Sequence, residues 1–189
     1  MRIISGTARN LELDAPADWE VRPTAIRARK ALFDSLGDFS GMTVLDLFSG
    51  TGALALESAS RGAAAVVMVE NDPRHLACIR ENCRRVAAAG TESRMTVLDF
   101  DALVPARYLD RLPAPPDLVF ADPPYARSGA CFRTLTSDAG FRAKLSGARI
   151  VWEIPDTPGA MGDFMGNEAL NGTEFRRFGG TMFLLGRIK

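Results

Sequence analysis

The stretch DLVFADPPYAR, residues 117–127, combines a buried-strand pattern with groups that could hold a planar amine. Proline has no backbone N–H, so Pro123 and Pro124 end the strand directly after Asp122. The Asp122 carboxylate and the Pro123 carbonyl then offer adjacent acceptors to the two protons of a nucleobase –NH₂ group. Such bonds favour a pyramidal nitrogen aimed at a methyl donor, and Tyr125 could stack on the extruded base. We therefore predict Asp122, Pro123, Pro124 and Tyr125 as the catalytic residues.

A glycine-rich turn supplies candidate cofactor contacts. In VLDLFSGTGALALE, Phe48, Gly50 and Gly52 fall between a strand pattern and a helix pattern, where the backbone can approach a ligand. The spacing also satisfies a dinucleotide fingerprint, so a nicotinamide-dependent oxidoreductase could use the same turn. Asp46 separates the two cofactors, because a carboxylate there repels pyrophosphate but can bond an ammonium group. S-Adenosylmethionine carries that ammonium and no phosphate, and we predict it as the cofactor.

Acidic residues end the next two predicted strands. Glu70 follows Gly50 by 20 residues, the spacing at which nucleoside-binding folds place an acid on the ribose hydroxyls. Asp101 follows the third predicted strand, where its carboxylate could accept from an adenine amino group. A solvated strand-end acid and a loop-capping aspartate are the alternative interpretations of these two positions.

Alternating strand and helix patterns position these residues. The predicted strands are MTVLDLF, AAVVMVE, MTVLDF, DLVFAD and RIVWEI, with helical patterns between them. RIIS and LELD predict an N-terminal hairpin, RPTAIRARKALFDSLG a helix, and TEFRRF and TMFLLGRI a closing hairpin around Gly179 and Gly180. The chain is therefore predicted to have an α/β fold, a mostly parallel sheet with helices on both faces.

Composition limits the function classes. The 189 residues favour one domain, and the formal net charge of zero counts mildly against a nucleic-acid partner. Cys78, Cys83 and Cys131 form no CxxC pair, so we expect a reducing, cytoplasmic environment. His75 is the only histidine, so no metal site is expected, and its polar helical stretch predicts a plain surface residue. The sequence contains neither a signal-peptide pattern nor a transmembrane stretch, so no membrane partner is expected.

The sequence resembles the bacterial 16S ribosomal RNA guanine-N2 methyltransferase family. The segments that carry the resemblance are RIISGTARNLEL, RPTAIRARKALFDSL, LDLFSGTGALALESASRGA, YLDRLPAPPDLVFADPPYA and FGGTMFLLGR, together with the acid of VWEI. The resemblance implies a Rossmann-like class I S-adenosylmethionine-dependent methyltransferase with a seven-stranded sheet whose last strand is antiparallel. The resemblance also implies a single methyltransferase domain, residues 1–189. Its two parts are an N-terminal hairpin and helix extension, residues 1–40, and a catalytic core, residues 41–189.

The same resemblance implies roles for individual residues. The cofactor-binding residues are then Asp46, Phe48, Gly50, Gly52, Glu70, Asn71, Asp101 and Ala102. Arg22, Thr24 and Arg29 match a segment beside the pocket, where they contact RNA or cap the site. The implied partner is 16S ribosomal RNA or a small-subunit assembly intermediate, and we expect a monomer.

Two other functions share parts of this pattern. The Asp-Pro-Pro-Tyr box also occurs in adenine-N6 and other amino-methyltransferases, so DNA or another RNA is the alternative substrate. A non-enzymatic RNA-binding or assembly module could retain the fold. The intact acceptors at Asp122 and Pro123 argue against that module, because binding alone does not require them.

Overall fold

The computed structural model describes residues 1–16, 23–157, 159–178 and 180–189. Within them lie five α-helices and a seven-stranded sheet with the strand order β3-β2-β1-β4-β5-β7-β6. The helices are α1 (Pro23–Leu36), α2 (Ala53–Ser60), α3 (Pro73–Ala88), α4 (Ser128–Ser137) and α5 (Ala139–Leu145). The strands are β1 (Thr43–Leu47), β2 (Ala65–Glu70), β3 (Arg94–Asp99), β4 (Leu118–Ala121), β5 (Arg149–Ile154), β6 (Leu170–Phe178) and β7 (Thr181–Ile188).

The central strands β1, β2 and β4 are buried along their whole length. Helices cover both faces of the sheet, and strands in that position are near-continuous apolar runs. Strands β1 to β5 pair in parallel, and β7 runs antiparallel to both β5 and β6. The predicted α/β architecture and its antiparallel last strand are confirmed.

The strand register brings the carboxyl ends of β1, β4 and β5 level with one another. Leu47 pairs with Ala121, and Ala121 pairs with Trp152. The next residues, Phe48, Asp122 and Glu153, therefore lie side by side at this edge. Strands β2 and β3 are added to one side of β1, whereas β4 and β5 are added to its other side. α/β sheets bind ligands at such a switch point, here between β1 and β4.

The helices begin where the sequence predicts them, with one division. The Asp72 carboxylate accepts from the Arg74 amide at 2.8 Å and caps α3, whose first residue is Pro73. The single helical stretch predicted after β4 is divided at Asp138. Its carboxylate accepts from the Phe141 amide at 2.7 Å and caps the start of α5. Asp138 is therefore the boundary between α4 and α5.

The predicted N-terminal hairpin is present as one antiparallel bridge, between Arg2 and Glu12, rather than as two strands. The amides of Ile4 and Ser5 donate to the Glu57 carboxylate of α2, at 2.7 and 3.1 Å, instead of to a partner strand. This segment therefore packs on α2 through side-chain acceptors. In the closing hairpin Phe178 pairs with Thr181, and Gly179 lies outside the described residues.

Among the described helices, none is long and apolar enough to cross a membrane.

Candidate active site

A cavity of about 550 Å³ opens at the carboxyl ends of the parallel strands. This volume lies within the range of roughly 300–1,000 Å³ that is typical of small-molecule sites. The structure brings most of the residues predicted from the sequence into its wall. Those in the lining are Phe48, Gly50, Glu70, Asn71, Asp101, Ala102, Asp122, Pro123, Pro124 and Tyr125.

Asp46 and Gly52 are the predicted cofactor residues that do not line the cavity. Asp46 is 1% exposed, and one carboxylate oxygen accepts from the Ala55 amide at 3.2 Å. Burial raises the pKa of Asp46 to about 8, the Ala55 amide opposes this rise, and the Glu70 charge adds to it. Asp46 therefore lies beneath the glycine turn with its charged form disfavoured.

The turn after β1 has a backbone that few side chains tolerate. Gly50 and Gly52 have φ of 55° and 78°, and Phe48 also has a positive φ, of 59°. A Cβ on Gly52 would lie 3.1 Å from the Met68 sulfur, so this glycine also permits close helix–strand packing. A bulky residue in the left-handed region is uncommon, and strained positions of this kind cluster at functional sites.

Glu70 holds this turn against the end of β2. Its carboxylate accepts from the Gly50 amide at 2.8 Å and from the amides of Asn71 and Asp72 at 2.8 and 2.9 Å. A carboxylate has about four acceptor positions, so one remains for a ligand hydroxyl. The Nδ1 atom of His75 lies 3.6 Å from a Glu70 oxygen. His75 is partly buried and lines the cavity, so its prediction as a plain surface residue is wrong.

The end of β3 forms the next part of the wall. The Asp101 carboxylate accepts from the Leu103 amide at 2.9 Å, and the buried Tyr108 hydroxyl donates to the Ala102 carbonyl at 3.0 Å. These bonds fix the backbone beside Phe100 and Leu103, which add apolar surface to the cavity. Sequence reasoning missed these two residues because an apolar residue just after a strand can equally belong to the hydrophobic core.

The Asp-Pro-Pro-Tyr segment follows β4, as predicted. Asp122 is open to the cavity, but it lies in a concavity that restricts water. This desolvation, with the nearby carboxylates of Glu153 and Asp46, raises the pKa of Asp122 well above its usual range. Pro123 is buried and holds the backbone, whereas Tyr125 is 50% exposed at the rim.

Glu153 is a cavity residue to which the sequence analysis gave no role. The Tyr125 hydroxyl donates to one of its carboxylate oxygens at 2.5 Å. Burial raises the pKa of Glu153, and the Tyr125 hydrogen bond opposes that rise. The available signal was its position as the acid of RIVWEI, at the end of a strand next to β4.

Of the three residues predicted beside the pocket, the structure describes the side chain of Arg29 alone. Arg22 and the side chain of Thr24 lie outside the described residues. Arg29 is 7% exposed, and its guanidinium donates to the Arg2 carbonyl and contacts the Met1 sulfur. In this structure Arg29 therefore supports the N-terminal segment, and an RNA contact by Arg29 stays a prediction.

The last observations concern metal-ligating side chains and cysteines in the described residues. Within the described ranges no group of three or more metal-ligating side chains is found. Cys78, Cys83 and Cys131 are free thiols.

The sheet order and the cavity at its switch point define the fold of class I methyltransferases. A solved precorrin-6y C5,15-methyltransferase from Geobacter metallireducens has this fold, with a TM-score of 0.66 and 16% identity over 94% of both chains. At that identity the likeness concerns the fold alone.

The chain belongs to the family described as "Conserved hypothetical protein 95", whose model matches residues 1–159. It is 33% identical to Ribosomal RNA small subunit methyltransferase D of Escherichia coli (strain K12), over 67% of this chain and 61% of that protein. A solved hypothetical protein of Thermus thermophilus is 28% identical, with a TM-score of 0.71, over 100% of this chain and 99% of that one. The match spans 46% of a Bacillus subtilis relative, so the first curated relatives are covered over less than two thirds of their length. These matches confirm the family resemblance found in the sequence.

Proposed function

We propose that this protein is an S-adenosylmethionine-dependent methyltransferase that methylates the N2 amino group of a guanine in 16S ribosomal RNA. The observation that carries the proposal is a single cavity lined by both the glycine turn and the Asp-Pro-Pro-Tyr segment. A methyl donor and an acceptor nitrogen need to meet in one place, and the strand register provides that place. The Escherichia coli relative, named for small-subunit ribosomal RNA, supports the choice of substrate.

The residues present fit a nucleoside cofactor with an amino acid side chain. Phe48 and the Gly50 backbone would hold the amino acid end, Glu70 and Asn71 the ribose, and Asp101 and Ala102 the adenine. The absence of phosphate from this cofactor suits the acidic wall. When bound, S-adenosylmethionine supplies an electrophilic methyl group on a sulfonium sulfur.

The protein's own residues would then present the acceptor nitrogen. The Asp122 carboxylate and the Pro123 carbonyl accept the two protons of the guanine N2 amino group, and the Tyr125 ring stacks on the base. As the nitrogen–carbon bond formed and the methyl–sulfur bond broke, the nitrogen would become positive and would have to lose one proton. The Asp122 carboxylate can accept that proton, since its surroundings favour the protonated form.

We propose that the whole described chain acts as one domain, as a monomer, on cytoplasmic ribosomal RNA. The net charge of zero leaves little sequence-independent attraction to RNA. A partly assembled small subunit could supply protein contacts that replace it. This predicts faster methylation of an assembly intermediate than of naked 16S ribosomal RNA under the same salt conditions. Equal rates on the two substrates would contradict the assembly part of the proposal.

The deciding experiment is mass spectrometry of ribosomal RNA nucleosides from cells with and without this protein. We expect one N2-methylguanosine to disappear without the protein, to return with the wild-type chain, and not to return with Asp122→Asn. A missing N6-methyladenosine would instead support the adenine alternative. An unchanged set of modified nucleosides would overturn the proposed function.

A further inference from the structure

Glu153 stands beside Asp122 in the candidate active site, on the neighbouring strand. Ala121 pairs with Trp152, so the residues that follow them, Asp122 and Glu153, are next to each other at the carboxyl ends of β4 and β5. Both side chains line the same cavity. The base-binding end therefore has two carboxylates, whereas one carboxylate and one carbonyl are enough to hold an amino group.

The contacts of Glu153 fix its position and leave acceptor capacity. Its backbone carbonyl accepts from the Ser128 hydroxyl at 3.2 Å, and that hydroxyl accepts from the Trp152 indole at 2.9 Å. One carboxylate oxygen accepts from the Tyr125 hydroxyl at 2.5 Å. Because a carboxylate has two oxygens and about four acceptor positions, the Tyr125 bond leaves Glu153 able to accept from a ligand.

The Watson–Crick edges of the candidate bases differ at the atom next to the amino group. In guanine the N2 amino group is adjacent to N1–H, so the edge presents neighbouring donors. In adenine the N6 amino group is adjacent to an N1 lone pair, so a donor adjoins an acceptor. A second carboxylate beside Asp122 would bond the guanine N1–H but would face the adenine lone pair with another acceptor. Buried polar sites reject a base that leaves them unpaired.

We propose that Glu153 is a specificity-determining residue that accepts the N1–H of guanine, while Asp122 and the Pro123 carbonyl accept its amino group. This inference rests on the proposed function and deepens it, since it assigns the choice of base to a residue outside the Asp-Pro-Pro-Tyr segment. The hydrogen bond from Tyr125 gives Glu153 a second effect, because it joins the base-stacking ring to the residue that contacts the base edge.

The test pairs a protein change with a change in the base. Glu153→Gln keeps the size of the side chain and an acceptor for the Tyr125 hydroxyl, but it can turn an amide donor toward the base. 2-Aminopurine keeps the N2 amino group of guanine and has a lone pair at N1. We would place guanine or 2-aminopurine at the methylated nucleotide of small-subunit RNA and measure kcat/KM for methyl transfer with each enzyme.

We expect the wild-type enzyme to methylate guanine at least tenfold faster than 2-aminopurine. In Glu153→Gln the guanine to 2-aminopurine ratio should fall at least tenfold, because the amide can donate to the N1 lone pair. Both enzymes see the same pair of bases, so the missing O6 of 2-aminopurine cancels from the comparison of ratios. Glu92→Gln, at an exposed position, is the matched control and should keep the wild-type ratio.

Tyr125→Phe separates the two effects of Glu153. It removes the hydroxyl that bonds Glu153 but keeps the ring, so activity should fall while the ratio of the two bases stays near the wild-type value. A ratio that collapses in Tyr125→Phe as far as in Glu153→Gln would mean that Glu153 acts only by holding the ring, which overturns the inference.

The remaining outcomes distinguish this inference from the proposed function. If the wild-type enzyme methylates guanine and 2-aminopurine equally well, the inference is wrong even if Glu153→Gln does not fold. An unchanged ratio in a folded Glu153→Gln also overturns it, while guanine methylation by the wild type upholds the proposed function. If the wild type transfers no methyl group to guanine, the proposed function fails and this inference fails with it.

Discussion

Two acidic residues, Glu57 and Asp122, differ in their exposure and in their hydrogen bonds. Glu57 on α2 is fully buried, and it accepts from the amides of Ile4 and Ser5 and from the Arg61 side chain at 2.7 Å. In the described part of the chain no hydrogen bond reaches the Asp122 carboxylate. A fully buried acid that is bonded to the protein through both oxygens holds structure together, whereas an acid that lines a cavity and keeps an unused acceptor position can hold a ligand.

Glu57 holds the N-terminal segment on α2. A second residue of α2 contributes, since the Ala8 amide donates to the Ser60 hydroxyl at 2.9 Å. Gly6 makes the approach possible, since a Cβ there would lie 1.7 Å from the Ser60 carbonyl oxygen. The segment therefore packs on the C-terminal half of α2, the helix that follows the glycine turn.

The largest effect on stability should follow Glu57→Ala. Removing this acid leaves two amides without an acceptor and leaves Arg61 only its longer contact with Asp34, at 3.6 Å. Breaking a buried pair in this way costs up to about 3–5 kcal/mol. We expect that loss in the free energy of unfolding, measured by urea denaturation. Glu92→Ala, at an exposed position, is the control and should lie within about 0.5 kcal/mol of the wild type. A small loss for Glu57→Ala would show that the structural half of the comparison is wrong.

Asp122→Asn should have the opposite balance of effects. The amide can still accept one proton of the substrate amino group, but it lacks the negative charge that matches the developing positive charge. Losing one such group typically lowers kcat by about 10²–10³. We expect that loss in a methyl-transfer assay, with a thermal midpoint at or above that of the wild type. Full activity would contradict the ligand-binding role of Asp122, and a large loss of stability would contradict its freedom from structural contacts.

Asp46→Asn tests a buried acid between these two extremes. Because the folded-state pKa of Asp46 is about 8, the unfolded chain releases this proton at lower pH than the folded chain. This group therefore makes stability fall as pH rises from about 4 to 8, by at most about 1.4 kcal/mol per pH unit. We expect Asp46→Asn to remove that slope and to be more stable than the wild type at pH 7. Urea denaturation at pH 5, 6, 7 and 8 measures both effects. Unchanged slopes would show that Asp46 is not the titrating group.

The smallest effect concerns the pH dependence of catalysis. Asp122 must be ionised to accept the amino protons, and its raised pKa means that kcat should rise with pH on the acidic side of the profile. The charged or titratable groups around it include Glu153, Asp46, Tyr125 and Arg127.

Glu153→Gln removes one of the negative charges that raise the pKa of Asp122, so the acidic limb should move to lower pH. Glu92→Gln should leave the profile in place. A limb that does not move would show that the Glu153 charge has little influence on Asp122.

The sequence predicted most of the cavity wall, because strand ends in a parallel sheet meet at one edge whatever the details of packing. Gly50, Glu70, Asp101 and Asp122 each follow a recognisable strand, and all four line the cavity. The depth of Asp46 and the partial burial of His75 were not predicted, since depth below the surface depends on the neighbouring elements. Asp46 lies beneath the turn, and His75 faces Glu70 across the start of α3.

The sequence alone determined the alternation of strands and helices from β1 to β5 and the residues near each strand end, because periodicity, prolines and glycines act locally. The tertiary structure decided which acids are satisfied and which are open. The amides of Ile4 and Ser5 donate to Glu57, more than 50 residues away in the sequence. The pairing of β4 with β5 brings Glu153 beside Asp122. Hydrogen-bond partners and shared burial depend on contacts between distant segments, and no local pattern in the chain encodes them.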